Sequence, residues 1–129
     1  MRENTLKQKL NDGKAVFGTM LTFPSATMVE MLGSLGYDWI LLDNEHGDIT
    51  VENSENMIRA AELTGMAPIV RPIGNELEFI CPFLDRGAWG VQIPHVNTAE
   101  EAQNAVHAVK YYPLGNRGIF SRSRPAGYG

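Results

Sequence analysis

The chain has 129 residues, 43% of them hydrophobic and 20% charged, which is the composition of a globular domain able to bury a core. Its net charge of −4 arises from 15 acidic and 11 basic residues spread along the sequence, so nucleic acid is not indicated as a partner and a small polar molecule is the better default. The apolar runs fall short of the ~18 residues that span a bilayer, and the N-terminus lacks a signal-peptide pattern; a soluble, cytoplasmic protein without a membrane partner is expected.

Residues 3–12 read as a leading helix, with Leu6 and Leu10 one turn apart and Asp12-Gly13 as its stop. A unit of short apolar strand, polar turn and amphipathic helix then repeats four times. The first strand is predicted over Ala15 to Leu21. Its helix opens at Pro24-Ser25, gathers Met28, Val29, Met31, Leu32 and Leu35 on one side, and ends at Gly36. The second strand runs from Trp39 to Leu42. A helix follows from about Val51 to Thr64, exposing Glu52, Glu55 and Arg59, burying Met57, Ile58, Ala61 and Leu63, and closing at Gly65.

The third strand covers Ala67 to Val70. Asn75 with Glu78 reads as a capping box for a helix that ends at Asp85-Arg86-Gly87, with Pro82 expected to kink it. The lone cysteine, Cys81, falls in this helix; it has no second thiol for a disulfide or a thiolate metal site, and its neighbours Ile80 and Phe83 point to burial. The fourth strand is Val91 to Ile93, and the capping box Thr98-Glu101 opens a helix carrying Ala102, Ala105, Val106 and Val109. From Lys110 to Gly129 the chain has Lys110, Arg117, Arg122 and Arg124, four glycines and no acidic residue, and reads as a flexible, solvated basic segment.

Strands this apolar, alternating with helices, imply a parallel sheet covered on both faces, wound either as a barrel or as an open sheet. A barrel takes eight units and ~250 residues. With a leading helix and four units, residues 1–129 are expected to form a single partial domain, truncated before any closure.

In either winding, ligands meet the side chains at the carboxyl ends of the strands. After the second strand, Asp43-Asn44-Glu45-His46-Gly47 packs two carboxylates, an amide and an imidazole into one turn. After the third, Pro72 holds Arg71 extended, with a permanent charge at the same rim. An imidazole there suits proton transfer at neutral pH, and a guanidinium suits binding a carboxylate or oxyanion. The plainer alternatives are that Asp43, Glu45 and His46 cap the next helix and satisfy loop backbone, and that Arg71 pairs with Asp43 or Glu45 to lock two loops together. His95 also follows a strand, but bonding to backbone is an equal reading. His107 falls on a helix away from the rim. Trp39 and Trp89 are expected to pack against helices, and Met20 to form either pocket wall or core.

The motifs Tyr37-Asp38-Trp39, Asp43-Asn44-Glu45-His46, Val70-Arg71-Pro72, Pro94-His95-Val96-Asn97-Thr98 and Tyr112-Pro113-Leu114-Gly115-Asn116-Arg117-Gly118, in this order, resemble the 2,4-dihydroxyhept-2-ene-1,7-dioate aldolase/citrate lyase family. The resemblance implies the N-terminal half of a (β/α)8 TIM barrel from a class II pyruvate aldolase. Such an enzyme cleaves 4-hydroxy-2-oxo acids, of the 2-keto-3-deoxy sugar acid type, to pyruvate and an aldehyde.

It further implies a divalent cation, Mg2+, Mn2+ or Co2+, as Lewis acid, with its main ligands beyond residue 129, so that this polypeptide alone is expected to bind metal poorly and to show little activity. By position His46 matches the acid/base histidine and Arg71 the arginine on the keto oxygen. Asp43 matches an acidic residue near metal-bound water, Asp85 a partner of the histidine, and Met20 a wall of the substrate pocket. Asp85 closes its helix, at the opposite end of the barrel from His46, so that pairing is expected across a subunit interface of a homo-oligomer, a hexamer or trimer of dimers. The competing readings are a related acyl-CoA lyase and a non-catalytic half-barrel that serves as an assembly module.

Overall fold

The computed structural model describes residues 3–129. Helix α1 (Thr5–Asn11) leads into four strand–helix units: β1 (Gly18–Leu21) with α2 (Ala26–Ser34), β2 (Trp39–Asp43) with α3 (Val51–Leu63), β3 (Ala67–Arg71) with α4 (Leu77–Asp85), and β4 (Gly90–Val91) with α5 (Ala99–Val109). The four strands form one parallel sheet in the order β1-β2-β3-β4. Among the described residues no helix is long and apolar enough to cross a membrane.

The sheet register sorts side chains onto two faces, because successive residues of a strand point to opposite sides. Leu21, Leu42, Val70 and Val91 share one row. Leu21, Leu42 and Val70 pack with Val29, Met57, Ile58 and Phe83 in the main core, so this face is covered by helices. Each such burial contributes about 2 kcal/mol. Val91 joins Ile80, Leu84 and Ala108 in a smaller cluster between α4 and α5. The neighbouring row, Met20, Leu41, Ile69 and Gly90, lies on the other face. Asp43 and Arg71 belong to that face too, two residues further along their strands and directly opposite each other in register.

Several predicted elements are displaced. The first strand starts at Gly18 rather than Ala15, because the Asp38 carboxylate takes the Phe17 N–H at 2.8 Å where a neighbouring strand would have supplied a carbonyl. The fourth covers Gly90–Val91 rather than Val91 to Ile93; Gln92 still donates to the Val70 carbonyl, but Pro94 has no N–H with which to extend the ladder. Asn75 and Glu78 form no capping box. The cap position of α4 is Glu76, without a side-chain bond, while the Asn75 amide donates to the Glu101 carbonyl and ties the starts of α4 and α5 together. The helix runs through Pro82 to Asp85.

The boxes that do form are Thr50 with Asn53 on α3 and Thr98 with Glu101 on α5. On α2 the buried line is Val29 and Gly33, with Ala26 and Leu32 beside it, whereas Met28, Met31 and Leu35 are exposed. A Cβ at Gly33 would overlap the Thr64 side chain, so the absence of one lets the end of α3 lie close. Leu63 is exposed as well, on the last turn of α3. Cys81 is only half-buried, with its Sγ 3.5 Å from the Ala108 carbonyl.

The segment after α5 is built rather than loose. Arg117 bridges at 2.9 Å to Asp85, and its guanidinium also lies over the Tyr111 ring, 4.9 Å from the centroid. Arg124 opens a 3-10 turn (Arg124–Ala126) and reaches Glu62 at the end of α3. Two of the four basic side chains are therefore committed to ion pairs with the body of the fold, which corrects the reading of a flexible, solvated tail.

Candidate active site

Strand β2 ends at Asp43, whose side chain is 0% exposed. A carboxylate so placed needs several donors, and the local sequence supplies them. Its Oδ1 accepts the backbone N–H groups of Glu45 and His46 at 3.0 and 3.3 Å, folding Asp43-Asn44-Glu45-His46 into a tight turn. Arg71, its register partner, completes the set with two parallel bonds, Nε to Oδ1 at 2.9 Å and Nη2 to Oδ2 at 2.7 Å. Bidentate pairing of this kind is strong and geometrically specific. The hydrogen bond from Arg71 holds the Asp43 carboxyl below its usual range against the opposing effect of burial, and the same bond raises the Arg71 guanidinium.

The loop after Asp43 is pinned on both sides. Asn44 donates from its backbone to the Arg71 carbonyl at 2.9 Å and from its side chain to the Ile49 carbonyl at 2.6 Å. Asp48 donates to the Thr22 carbonyl at 2.8 Å. Between them, Gly47 passes so close to the Thr22 and Asp43 carbonyls that a Cβ would lie 2.3 and 2.5 Å from their oxygens.

Glu45 is the centre of the cluster. Its largely buried carboxylate places Oε2 3.1 Å from Arg71 Nε, and Oε1 3.5 Å from His46 Nε2 and 2.8 Å from His95 Nε2. Three residues from the carboxyl ends of β2, β3 and β4 therefore converge on one side chain. His46 is 69% exposed at the side chain, with its imidazole open to the rim. Arg71 uses Nε and Nη2, and Nη1 has no hydrogen bond to any described residue. The site thus offers a guanidinium N–H and an imidazole that share a carboxylate.

The arrangement bears on each residue singled out from the sequence. His46 and Arg71 come together, through Glu45 rather than by direct contact. The ion pair of Arg71 with both Asp43 and Glu45 is present, so the locking of two loops is real; α3 is capped by Thr50 and not by Asp43, Glu45 or His46. Met20 lies on the same sheet face as Asp43 and Arg71, 45% exposed, and is not part of the core. Asp85 closes α4, at the end of the fold that leads into β4, and is bonded to Arg117. His107 is exposed on α5, and the Trp89 indole donates to Glu62 of α3 at 3.1 Å. The central place of Glu45 and the reach of His95 were not read from the sequence, although both side chains follow strands and the first sits inside the densest polar motif.

For a divalent cation, the donors present are a poor fit. Both oxygens of Asp43 and both of Glu45 face cationic or imidazole nitrogens. Among the described residues no group of three or more His, Cys, Asp or Glu side chains is disposed to hold a metal ion. A hard cation requires several fixed oxygens, so these residues by themselves make no metal centre.

Four parallel strand–helix units are what one half of a (β/α)8 barrel contains, and the charged cluster lies at the carboxyl ends of the strands, where ligands meet such barrels. The chain belongs to the HpcH/HpaI aldolase/citrate lyase family, whose pattern it matches over residues 18–124. It is 37% identical over 128 residues to a hydroxypyruvate/pyruvate aldolase of Roseobacter denitrificans, covering 98% of this chain and 50% of the relative. It is 41% identical over 115 residues to a 2-dehydro-3,6-dideoxy-6-sulfogluconate aldolase of Pseudomonas putida, covering 89% of this chain and 45% of that one. The crystal structure of a family protein from Burkholderia cenocepacia superposes with a TM-score of 0.91 at 30% identity, over 98% of this chain and 52% of the other. The chain thus spans about half the length of the relatives it matches.

Proposed function

We propose that the whole protein is a carbon–carbon lyase that cleaves 4-hydroxy-2-oxo acids of the 2-keto-3-deoxy sugar acid type to pyruvate and an aldehyde. The observation that carries this reading is the convergence of Arg71, His46 and His95 on Glu45 at the carboxyl ends of adjacent strands, in a chain whose relatives bear aldolase names.

In a retro-aldol cleavage a base removes the proton of the C4 hydroxyl, the C3–C4 bond breaks, and its electron pair passes to the C2 oxygen as an enolate. Protonation at C3 then yields pyruvate. His46, exposed and with its imidazole at the rim, would take the hydroxyl proton and return it. Arg71 Nη1 would donate to the oxygen on which charge develops, and the bonds to Asp43 and Glu45 hold the guanidinium so that it need not reorganise. Asp43 acts by fixing Arg71 and shaping the His46 loop. Met20 would line the path of the aldehyde. Asp85 would reach a histidine only from another subunit of a homo-oligomer, since its own α4 carries it away from the rim.

The reading includes dependence on a divalent cation held by residues other than those described here. The test is pyruvate release from 4-hydroxy-2-oxo acids by the full-length protein, with and without added Mg2+, Mn2+ or Co2+. Cation-dependent pyruvate formation is expected; no pyruvate from any such acid under any of these cations would overturn the assignment.

A further inference from the structure

Glu45 Oε1 has two imidazoles near it, and they are not equivalent. His95 Nε2 lies at 2.8 Å and His46 Nε2 at 3.5 Å, beyond good hydrogen-bond distance. The other oxygen faces Arg71, whose single charge is shared with Asp43, so two largely buried carboxylates answer to one guanidinium. The cluster carries a surplus negative charge that a polar partner on Oε1 must answer. His95 is placed to be that partner. Its backbone has φ of 55, a left-handed conformation that non-glycine residues rarely adopt and that persists where the surroundings enforce it. Buried Pro94 precedes it, and the exposed Asn97 amide donates to the His95 carbonyl at 2.9 Å, so the backbone turn is supported on both sides, while the ring itself is 79% exposed and its short contact is the one to Glu45.

We propose that His95 is a positioning residue of this site: its ring makes the short contact to Glu45 Oε1 and so weakens the hold of that oxygen on His46, which stays at 3.5 Å, leaving the His46 imidazole open to exchange a proton with substrate. The role of His46 in this statement rests on the lyase reading; the competition of two rings for one oxygen does not. The groups that face the pair are Glu45, Asp43 and Arg71, and no other charged side chain is within ion-pair reach among the described residues. Without His95, the His46 ring would swing onto Oε1, and its proton would be held there by the carboxylate.

The experiment uses two variants of the full-length protein. His95→Gly removes the ring while suiting the positive φ, so backbone strain is not added. His95→Gln keeps a polar N–H donor at a similar reach. For His95→Gly a loss of roughly tenfold in kcat is expected, comparable to removing a partner that orients a functional imidazole, with KM little changed and the acidic limb of the pH profile moved to higher pH. His95→Gln should stay near the parent. A His95→Gly protein with unchanged kcat and pH profile, or a His95→Gln protein equally impaired, would overturn the proposal. Imidazole 15N spectra give a readout independent of activity: His46 signals should move in His95→Gly, and unmoved signals would sink the idea. If they move and the parent protein itself shows no lyase activity, the positioning role stands and the lyase reading falls.

Discussion

Asp43 and Arg71 face each other across adjacent parallel strands, one register row beyond the last apolar pair, and close on each other through two hydrogen bonds of 2.9 and 2.7 Å. The pair joins the end of β2 to the end of β3 and fixes the loop that carries Glu45 and His46. Removing Asp43 takes the buried acceptor from two backbone N–H groups and leaves Arg71 to Glu45 alone, which costs more than the pair itself is worth. Asp43→Ala should therefore lower the unfolding free energy by about 3 kcal/mol in urea denaturation. Asp43→Leu combined with Arg71→Met should not recover that loss, because Glu45 then keeps a largely buried carboxylate without its guanidinium.

The same carboxylate predicts a pH dependence. The Arg71 hydrogen bond, chiefly, depresses the folded-state pKa of Asp43. A depressed carboxylate contributes stability that is complete above its unfolded value of about 3.9 and drains away as pH falls towards the folded value. Stability should thus decline as the pH drops below about 4–5, and the decline should be shallower in Asp43→Asn, which has no proton to gain. Asp38, lowered by Lys9 and the Phe17 N–H, and Glu101, lowered by the Asn97 and Thr98 N–H groups, titrate in the same direction, so the slope should shrink without vanishing. An unchanged acid slope in Asp43→Asn would show that the pair contributes nothing to acid stability.

How much of this was legible beforehand follows from where each partner sits in the chain. The four-unit rhythm, the strand ends and the pairing of Arg71 with the Asp43 motif are local signals or follow from parallel pairing of consecutive strands. The contact of His95 with Glu45 was not, because it depends on a positive φ after Pro94 that no residue type announces. The basic stretch after α5 was misread for a related reason. Its anchors, Asp85 for Arg117 and Glu62 for Arg124, lie 32 and 62 residues away, and composition alone reports charge without its partner. On α2, helical spacing identified an apolar stripe but not its centre, which a glycine at position 33 shifts towards Val29.

His46 is exposed and makes only a long contact to Glu45, so its removal should cost little in folding. His46→Ala is expected to retain the parent melting temperature within 2–3 degrees, about what a surface substitution allows. Activity should behave differently, with kcat for pyruvate release falling about 10²-fold or more, the scale of losing a general acid/base. Persistence of activity in a well-folded His46→Ala protein would assign proton transfer to another group.

Gly47 makes a sharper structural prediction. A methyl group there would press on two backbone oxygens, of Thr22 and Asp43, neither of which can swing aside as a side chain would. Gly47→Ala should destabilise the protein by about 1–3 kcal/mol through overpacking, and displace the Glu45–His46 turn while leaving the helical core in place. Thermal denaturation reads the first effect. Amide chemical shifts of Glu45 and His46, compared with those of Met57 and Ile58 on α3, read the second.

Asp85 tests whether the segment after α5 depends on a single anchor. Arg117 is bonded to it at 2.9 Å, and the Tyr111 ring beneath the guanidinium adds a cation–π contact at 4.9 Å. Asp85→Asn removes the charge and leaves Arg117 without its carboxylate. Amides from Tyr111 to Ser123 should then exchange faster by about fivefold to tenfold, corresponding to roughly 1 kcal/mol of lost local stability, while those of β2 and β3 stay protected. Equal exchange in the parent and the variant would mean that Arg124, through Glu62, holds the segment alone; combining Asp85→Asn with Arg124→Ala should then release it.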